Sequence, residues 1–278
     1  MPSDYTALME ELASHGYAVF SIAHTGESMA VSLPGGRVEA IVGADNQLRP
    51  LPRGVIGDWG DEDSVATAIT SADAPARAEA TLRRYLARIP HATATVARCS
   101  ADTRAVMDEV TRLAAPRSGS VFEGRIRVSQ VAALGHSMGG VASAAWCARD
   151  PRCAAAINLD GSPQYGDLID RPSNKPFLMV YSSRPGRVGV SDLIYGRGAA
   201  YWRAVVDDTR HLNFGDWQYW EAPDRMDGGL GSMRASRSTE IVSGLVRAFF
   251  AEHLLRSPAS LLQTDRPYPE VEFRQLKR

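Results

Sequence analysis

The sequence has few cysteines, no long apolar run and no surplus of either charge, and each absence excludes a class of protein. No apolar run approaches the roughly 20 residues that a membrane-spanning helix needs, and the first residues lack the basic and apolar segments of an export signal. The 31 basic residues against 32 acidic ones leave a net charge of -1, so no overall charge attracts nucleic acid. We therefore expect a cytoplasmic protein with no integral membrane segment and no nucleic-acid partner.

The three cysteines, Cys99, Cys147 and Cys153, have no metal-ligand spacing, and an odd number cannot close a complete disulfide framework. We interpret them as small buried apolar residues and expect no metal and no cofactor. A bridge between Cys147 and Cys153 stays open as an alternative if the protein is exported.

The alternation of apolar runs and amphipathic segments predicts an α/β protein. The 278 residues, 44% of them hydrophobic, fit one domain over 1–278. In the first half the patterns predict a helix near 3–15, a strand at 17–23, a hairpin at 31–41, a loop at 46–60 and helices over 62–115. In the second half they predict strands at 128–134, 153–159, 176–181 and 202–206 and helices at 138–149 and 240–255. Such alternation is typical of a mostly parallel sheet with helices on both faces.

A G-x-S-x-G motif lies between a predicted strand and a predicted helix, and its letters are Gly135-His136-Ser137-Met138-Gly139. This is the context of a nucleophile elbow, in which a serine on a strained turn projects its hydroxyl above the sheet. Glycines at 135 and 139 allow the tight turn, and Gly140 allows close packing of the helix. The motif predicts Ser137 as a nucleophile; the alternative is a glycine-rich turn with an incidental serine.

A serine nucleophile needs a histidine base and an acid, which follow it along the chain in this fold in the order acid and then base. Of the six histidines, His211 follows a predicted strand and opens a loop, whereas His253 lies in the last helix, where a solvated side chain is expected. Asp160 ends the strand at 153–159 and is the predicted acid, although Asp-Gly also marks turns and caps. The rival carboxylates are Asp192, Asp207 and Asp208.

Together these segments resemble the plasma-type platelet-activating factor acetylhydrolases and their bacterial lipase-like and esterase relatives. The motifs that carry the resemblance are Gly135-His136-Ser137-Met138-Gly139-Gly140, Ile157-Asn158-Leu159-Asp160-Gly161 and His211-Leu212-Asn213-Phe214, with 12–19 and His24 resembling the lead into an early strand. The resemblance implies an α/β-hydrolase fold, with the nucleophile on Ser137, the acid on Asp160 and the base on His211. It also implies esterase or lipase-like chemistry without a metal.

The chain departs from that family at its front, because the family has strands and a His-Gly loop before the helix that opens this sequence. In the family that loop donates one of two backbone N–H groups to the oxyanion hole, so Met138 is the donor that can be assigned here. We therefore expect a fold that lacks its first strands, an unpaired sheet edge and weakened activity, or a replacement donor from another segment.

The sequence thus predicts hydrolysis of a small-molecule ester or lipid-like substrate through an acyl-enzyme on Ser137. Hydrolysis of a lactone or an amide by the same residues, and a binding protein that has lost catalysis, are the alternatives. An aromatic cluster after His211 either walls an acyl pocket, contacts lipid or packs on the core; its members are Phe214, Trp217, Tyr219 and Trp220.

Overall fold

The computed structural model describes residues 2–28, 30–40, 61–161, 166–198, 200–220 and 228–277. Within these residues the helices are α1 Thr6–Ser14, α2 Glu62–Thr70, α3 Pro75–Leu86, α4 Pro90–Ala114, α5 Met138–Cys147, α6 Asp192–Tyr195 and α7 Ala235–Leu255. The strands are β1 Ala30–Ser32, β2 Val38–Ala40, β3 Val131–His136, β4 Cys153–Leu159, β5 Pro176–Ser182, β6 Ala200–Val206 and β7 Val271–Lys277. Short 3-10 turns cover Pro2–Tyr5, His211–Phe214 and Asp216–Tyr219.

Strands β3 to β7 form one five-stranded sheet in chain order, with β3 and β7 at its edges. The pairs β3–β4, β4–β5 and β5–β6 are parallel, and β7 runs antiparallel to β6. The parallel strands β4 and β5 are almost wholly apolar because helices cover both faces of the sheet. The parallel arrangement brings the carboxyl ends of β3, β4 and β6 to the same end of the sheet, where the predicted site residues lie.

Each face of the sheet packs on its own hydrophobic cluster. Phe177 and Met179 of β5 face α2 to α6, whereas Leu178 and Val180 face α1 and α7. This alternation follows from the two-residue repeat of a strand. No described helix combines the length and the apolar character that a membrane crossing requires.

The predicted strand at 17–23 is wrong, because residues 17–24 have no strand assignment and pair with no strand of the sheet. Apolar side chains hold this segment instead: the ring of Tyr17 contacts Phe250, and that of Phe20 contacts Phe122. An apolar run of this length predicts burial but not the hydrogen-bonded partner that makes a strand.

Other expectations match the described elements. The hairpin is present as the antiparallel pair β1–β2, and the predicted helices and strands of the second half fall within a few residues of α5, α7 and β3 to β6. The predicted loop at 46–60 lies outside the described residues. Strand β7 was not predicted, although Val271 and Phe273 are buried and alternate with exposed Glu272 and Arg274.

All three cysteines are buried as expected, and Cys147 and Cys153 form the disulfide that was left open as the alternative, with their Cα atoms 5.1 Å apart. The bond joins the last residue of α5 to the first residue of β4. Cys99 is free and buried, and burial raises the pKa of its thiol to about 12. Structural disulfides are typical of oxidising compartments, and this one therefore argues against the expected cytoplasmic location.

Candidate active site

Ser137 lies on a sharp turn between β3 and α5. Its backbone has φ 57° and ψ -135°, a conformation that L-residues rarely adopt. The Ser137 N–H donates to the Leu159 carbonyl at 2.9 Å, which joins the turn to the end of β4. A strained serine held between a strand and a helix is the backbone geometry of a nucleophile elbow.

Glycine is needed at three neighbouring positions, because at each one a backbone or side-chain atom lies too close to leave room for a Cβ. A Cβ on Gly135 would lie 2.2 Å from the Gly139 carbonyl oxygen, and one on Gly161 would lie 2.1 Å from the Ser137 oxygen. A Cβ on Gly140 would lie 2.1 Å from the side-chain oxygen of Asn158. At Gly139, by contrast, a Cβ would meet no atom within 4 Å outside its chain neighbours and its own helix backbone, so the close packing of the turn demands glycine at 135 but not at 139.

The His211 imidazole contacts the Ser137 hydroxyl. His211 begins the 3-10 turn that follows β6, and its Nε2 lies 3.0 Å from Ser137 Oγ. Asn213 fixes this turn, because its side-chain oxygen accepts the Arg210 N–H at 2.8 Å and the Gly231 N–H at 2.7 Å. A histidine at this distance can accept a proton from the serine.

Asp160 lies on the other side of the imidazole, immediately after β4. Its Oδ2 is 2.9 Å from His211 Nδ1, and its Oδ1 accepts the Ser182 N–H at 2.8 Å. The carboxylate is 9% exposed. The structure therefore brings Ser137, His211 and Asp160 into one hydrogen-bonded chain, with the acid oriented by the end of β5.

The rival acids lie elsewhere or face solvent. Asp192 accepts hydrogen bonds from Tyr201 and Arg203, on the side of the sheet that α2 to α6 cover. Asp207 and Asp208 are exposed. None of these three carboxylates therefore contacts His211.

The other histidines outside the elbow contact other residues or face solvent. His15 contacts Arg247, His24 contacts Asp102, and His91 is exposed. His253 is not solvated as expected, because its ring packs against Trp202 and Phe249 with centroids 4.9 Å and 4.4 Å away. Of these four histidines, none contacts Ser137.

Sequence reasoning missed two groups that support the site. Asn158, buried at the end of β4, accepts the Gly161 N–H at 2.8 Å and donates to the Tyr195 hydroxyl at 3.2 Å, which fixes the turn that carries Asp160. His136 was treated only as the second letter of the motif, yet it bonds Tyr5 and the His211 carbonyl. Asn158 and His136 are each a polar residue in an otherwise apolar strand, and this pattern could have indicated both from the sequence.

Met138 begins α5 directly after Ser137, and its N–H is one of the donors that a helix N-terminus leaves without an intrahelical acceptor. Within the described part of the chain, no oxygen accepts this N–H. A donor in this position can stabilise negative charge on an oxygen next to Ser137.

The aromatic residues after His211 divide into two groups. Phe214 is buried in the core, and Trp217 packs against the rings of Tyr5 and His136. Tyr219 and Trp220 are 50% and 46% exposed. Packing therefore explains Phe214, whereas the Tyr219 and Trp220 side chains are exposed, with the Trp220 ring centroid 6.3 Å from that of Trp217.

Comparison with known proteins gave structural matches only: no protein-family model matches the chain, and no curated protein sequence matches it. Among the solved structures that match is a ferulic acid esterase from Streptomyces cinnamoneus. It is 26% identical, has a TM-score of 0.71, and the alignment covers 98% of this chain and 70% of that one.

The parallel sheet, the helices on both faces and this likeness define an α/β-hydrolase fold. In general terms, the likeness to an esterase also supports ester hydrolysis.

Proposed function

We propose that the chain is a carboxylic ester hydrolase that forms an acyl-enzyme on Ser137. The observation that carries the proposal is the hydrogen-bonded chain from Ser137 Oγ through His211 to Asp160, at distances of 3.0 Å and 2.9 Å. A serine hydroxyl is a weak nucleophile until a neighbouring base takes its proton, and an oriented histidine–carboxylate pair supplies that base.

In the proposed reaction, Ser137 Oγ attacks the acyl carbon while its proton moves to His211 Nε2. The Met138 N–H stabilises the oxyanion, and the Asp160 carboxylate stabilises the imidazolium. The C–O bond to the alcohol breaks as His211 returns the proton to the leaving oxygen. Water then repeats these steps on the acyl-enzyme, which releases the acid and restores Ser137.

Two observations bear on the acyl group of the substrate, and they favour acyl groups of different size. The acetylhydrolase-like motifs favour a short acyl chain, and the solved neighbour is a ferulic acid esterase. The likeness to that neighbour favours an aromatic acid as the alternative to the short acyl chain. Rates of hydrolysis of p-nitrophenyl acetate and methyl ferulate would rank the two.

The test of the proposed chemistry is the Ser137→Ala variant, with Ser143→Ala in the following helix α5 as its matched control. Ser137→Ala should abolish turnover of p-nitrophenyl acetate and keep the parental melting temperature, since it removes a hydroxyl and no core atom. Ser143→Ala should keep parental turnover. Parental turnover by Ser137→Ala would contradict the proposal, and a folded parent that hydrolyses no ester would favour a non-catalytic protein.

A further inference from the structure

The imidazole of His136 has hydrogen-bond partners on both nitrogens, although it is buried beneath the site. Its Nε2 lies 2.9 Å from the main-chain carbonyl oxygen of His211, and its Nδ1 lies 2.7 Å from the Tyr5 hydroxyl. A carbonyl oxygen can only accept, so Nε2 carries the proton. Nδ1 must then accept a hydrogen bond from Tyr5.

The protonation states of both residues agree with this assignment. Burial lowers the pKa of His136 well below its usual range, and the charge of nearby His211 acts in the same direction. Burial raises the pKa of Tyr5, as do the carboxylates of Asp4 and Asp216. A neutral imidazole and a protonated phenol are the forms that this pair of hydrogen bonds requires.

Tyr5 is held in place by the segment that follows His211. Its ring meets Trp217 edge-on at a centroid distance of 5.6 Å. The Asp216 carboxylate accepts the Ala7 N–H at 3.2 Å, which ties the first turn of α1 to the same segment. Tyr5 and Ala7 thus contact Asp216 and Trp217, in the segment that follows His211, at two places close to His136.

We propose that His136, whose Nε2–H donates to the His211 carbonyl while Tyr5 donates to its Nδ1, is a positioning residue that fixes the main chain of His211. This inference rests on the proposed function, because it assigns His136 a task only if His211 is the base. The His136 bond holds the His211 carbonyl, and a shift of this main chain would change the distances from the His211 ring to Ser137 and Asp160. The two imidazoles also pack with centroids 4.3 Å apart. Small displacements of a catalytic group lower rates steeply.

The kinetic test compares Tyr5→Phe, His136→Leu and His136→Gln. Tyr5→Phe leaves Nδ1 without its donor and should lower kcat about tenfold at unchanged KM, because the lost alignment matters in the transition state. His136→Leu should lower kcat about a hundredfold. Gln can still donate from its Nε2 to the His211 carbonyl, so His136→Gln should recover part of that loss. Tyr17→Phe, whose ring packs on Phe250, is the matched control and should keep parental kcat.

Active-site titration with a fluorophosphonate separates positioning from a purely structural role. If His136 and Tyr5 only stabilise the fold, the variants will lose titratable sites and melt earlier, but kcat per titrated site will stay parental. That result would overturn the proposal. A lower kcat per titrated site, with partial rescue by His136→Gln, supports it.

A spectroscopic measurement keeps this proposal separable from the proposed function. In protein with ¹⁵N-labelled histidine, the His136 ring shifts should report a protonated Nε2 and an unprotonated Nδ1, and Tyr5→Phe should shift the Nδ1 resonance, which loses its donor, while Nε2 stays protonated. Shifts for protonated Nδ1 in the parent would refute the tautomer assignment, and an unchanged Nδ1 resonance in Tyr5→Phe would refute the role of Tyr5 as its donor. A parent that hydrolyses no ester would refute the proposed function, and the shifts would still decide the role of Tyr5.

Discussion

Replacing Asp160 by Asn should leave the fold intact and present the wrong imidazole tautomer to Ser137. Asp160 Oδ1 accepts the Ser182 N–H, so the amide oxygen of an Asn must occupy that position. The amide NH₂ then faces His211 Nδ1, which lies 2.9 Å from Asp160 Oδ2. Nδ1 becomes an acceptor, the ring proton moves to Nε2, and Nε2 can no longer accept the proton of Ser137.

The expected loss is large because two effects coincide. The corresponding substitution in a serine-protease triad lowers kcat about 10⁴-fold through the wrong tautomer. The imidazolium of the transition state also loses a nearly buried carboxylate. We expect kcat to fall on the order of 10³- to 10⁴-fold, which corresponds to about 4–5 kcal/mol of transition-state stabilisation. The assay is p-nitrophenyl acetate hydrolysis, with the melting temperature measured in parallel.

Asp192→Asn is the matched control, because Asp192, the first residue of α6, is also a partly buried carboxylate but bonds Tyr201 and Arg203. This variant should melt earlier, since Arg203 loses its ionic partner, and should keep kcat within a few-fold of the parent. An Asp160→Asn enzyme within tenfold of the parent, or a larger loss in Asp192→Asn, would refute the assignment of the acid.

Two further predictions concern the elbow and the disulfide. Gly135→Ala should lower both the melting temperature and the turnover, because its Cβ would lie 2.2 Å from the Gly139 oxygen. Gly139→Ala should be close to parental in both, since its Cβ meets open space. Equal melting temperatures of the two variants in calorimetry would contradict this prediction. Thiol titration of the denatured, unreduced chain should detect Cys99 alone, and three titratable thiols would exclude the disulfide. The double variant Cys147→Ala/Cys153→Ala should have a melting temperature several degrees lower, because closing a short loop contributes about 2 kcal/mol to the free energy of unfolding.

The parts of the fold that follow from local patterns could be predicted from the sequence. Apolar runs bounded by turns predicted β4 and β5, and alternation with helices predicted the parallel sheet. Because parallel strands end at one edge, the sequence could also place Ser137 and Asp160 at the same end of the sheet.

What could not be predicted depends on partners far along the chain. The segment at 17–23 has the composition of a strand, but a strand also needs a hydrogen-bonded neighbour, which no local pattern reveals. Tyr5 and His136 are 131 residues apart, and only the packing of α1 near His211 brings them together. The motif likewise does not distinguish Gly139, which has space for a side chain, from Gly135, which has none.

The central claim is that Ser137 forms the covalent intermediate, and mass spectrometry of the fluorophosphonate-treated protein tests it most directly. The account predicts one adduct per chain on the peptide that contains Ser137, and no adduct in Ser137→Ala. A folded protein that hydrolyses ester without labelling at Ser137, or that labels on another serine while Ser137→Ala stays active, would contradict it.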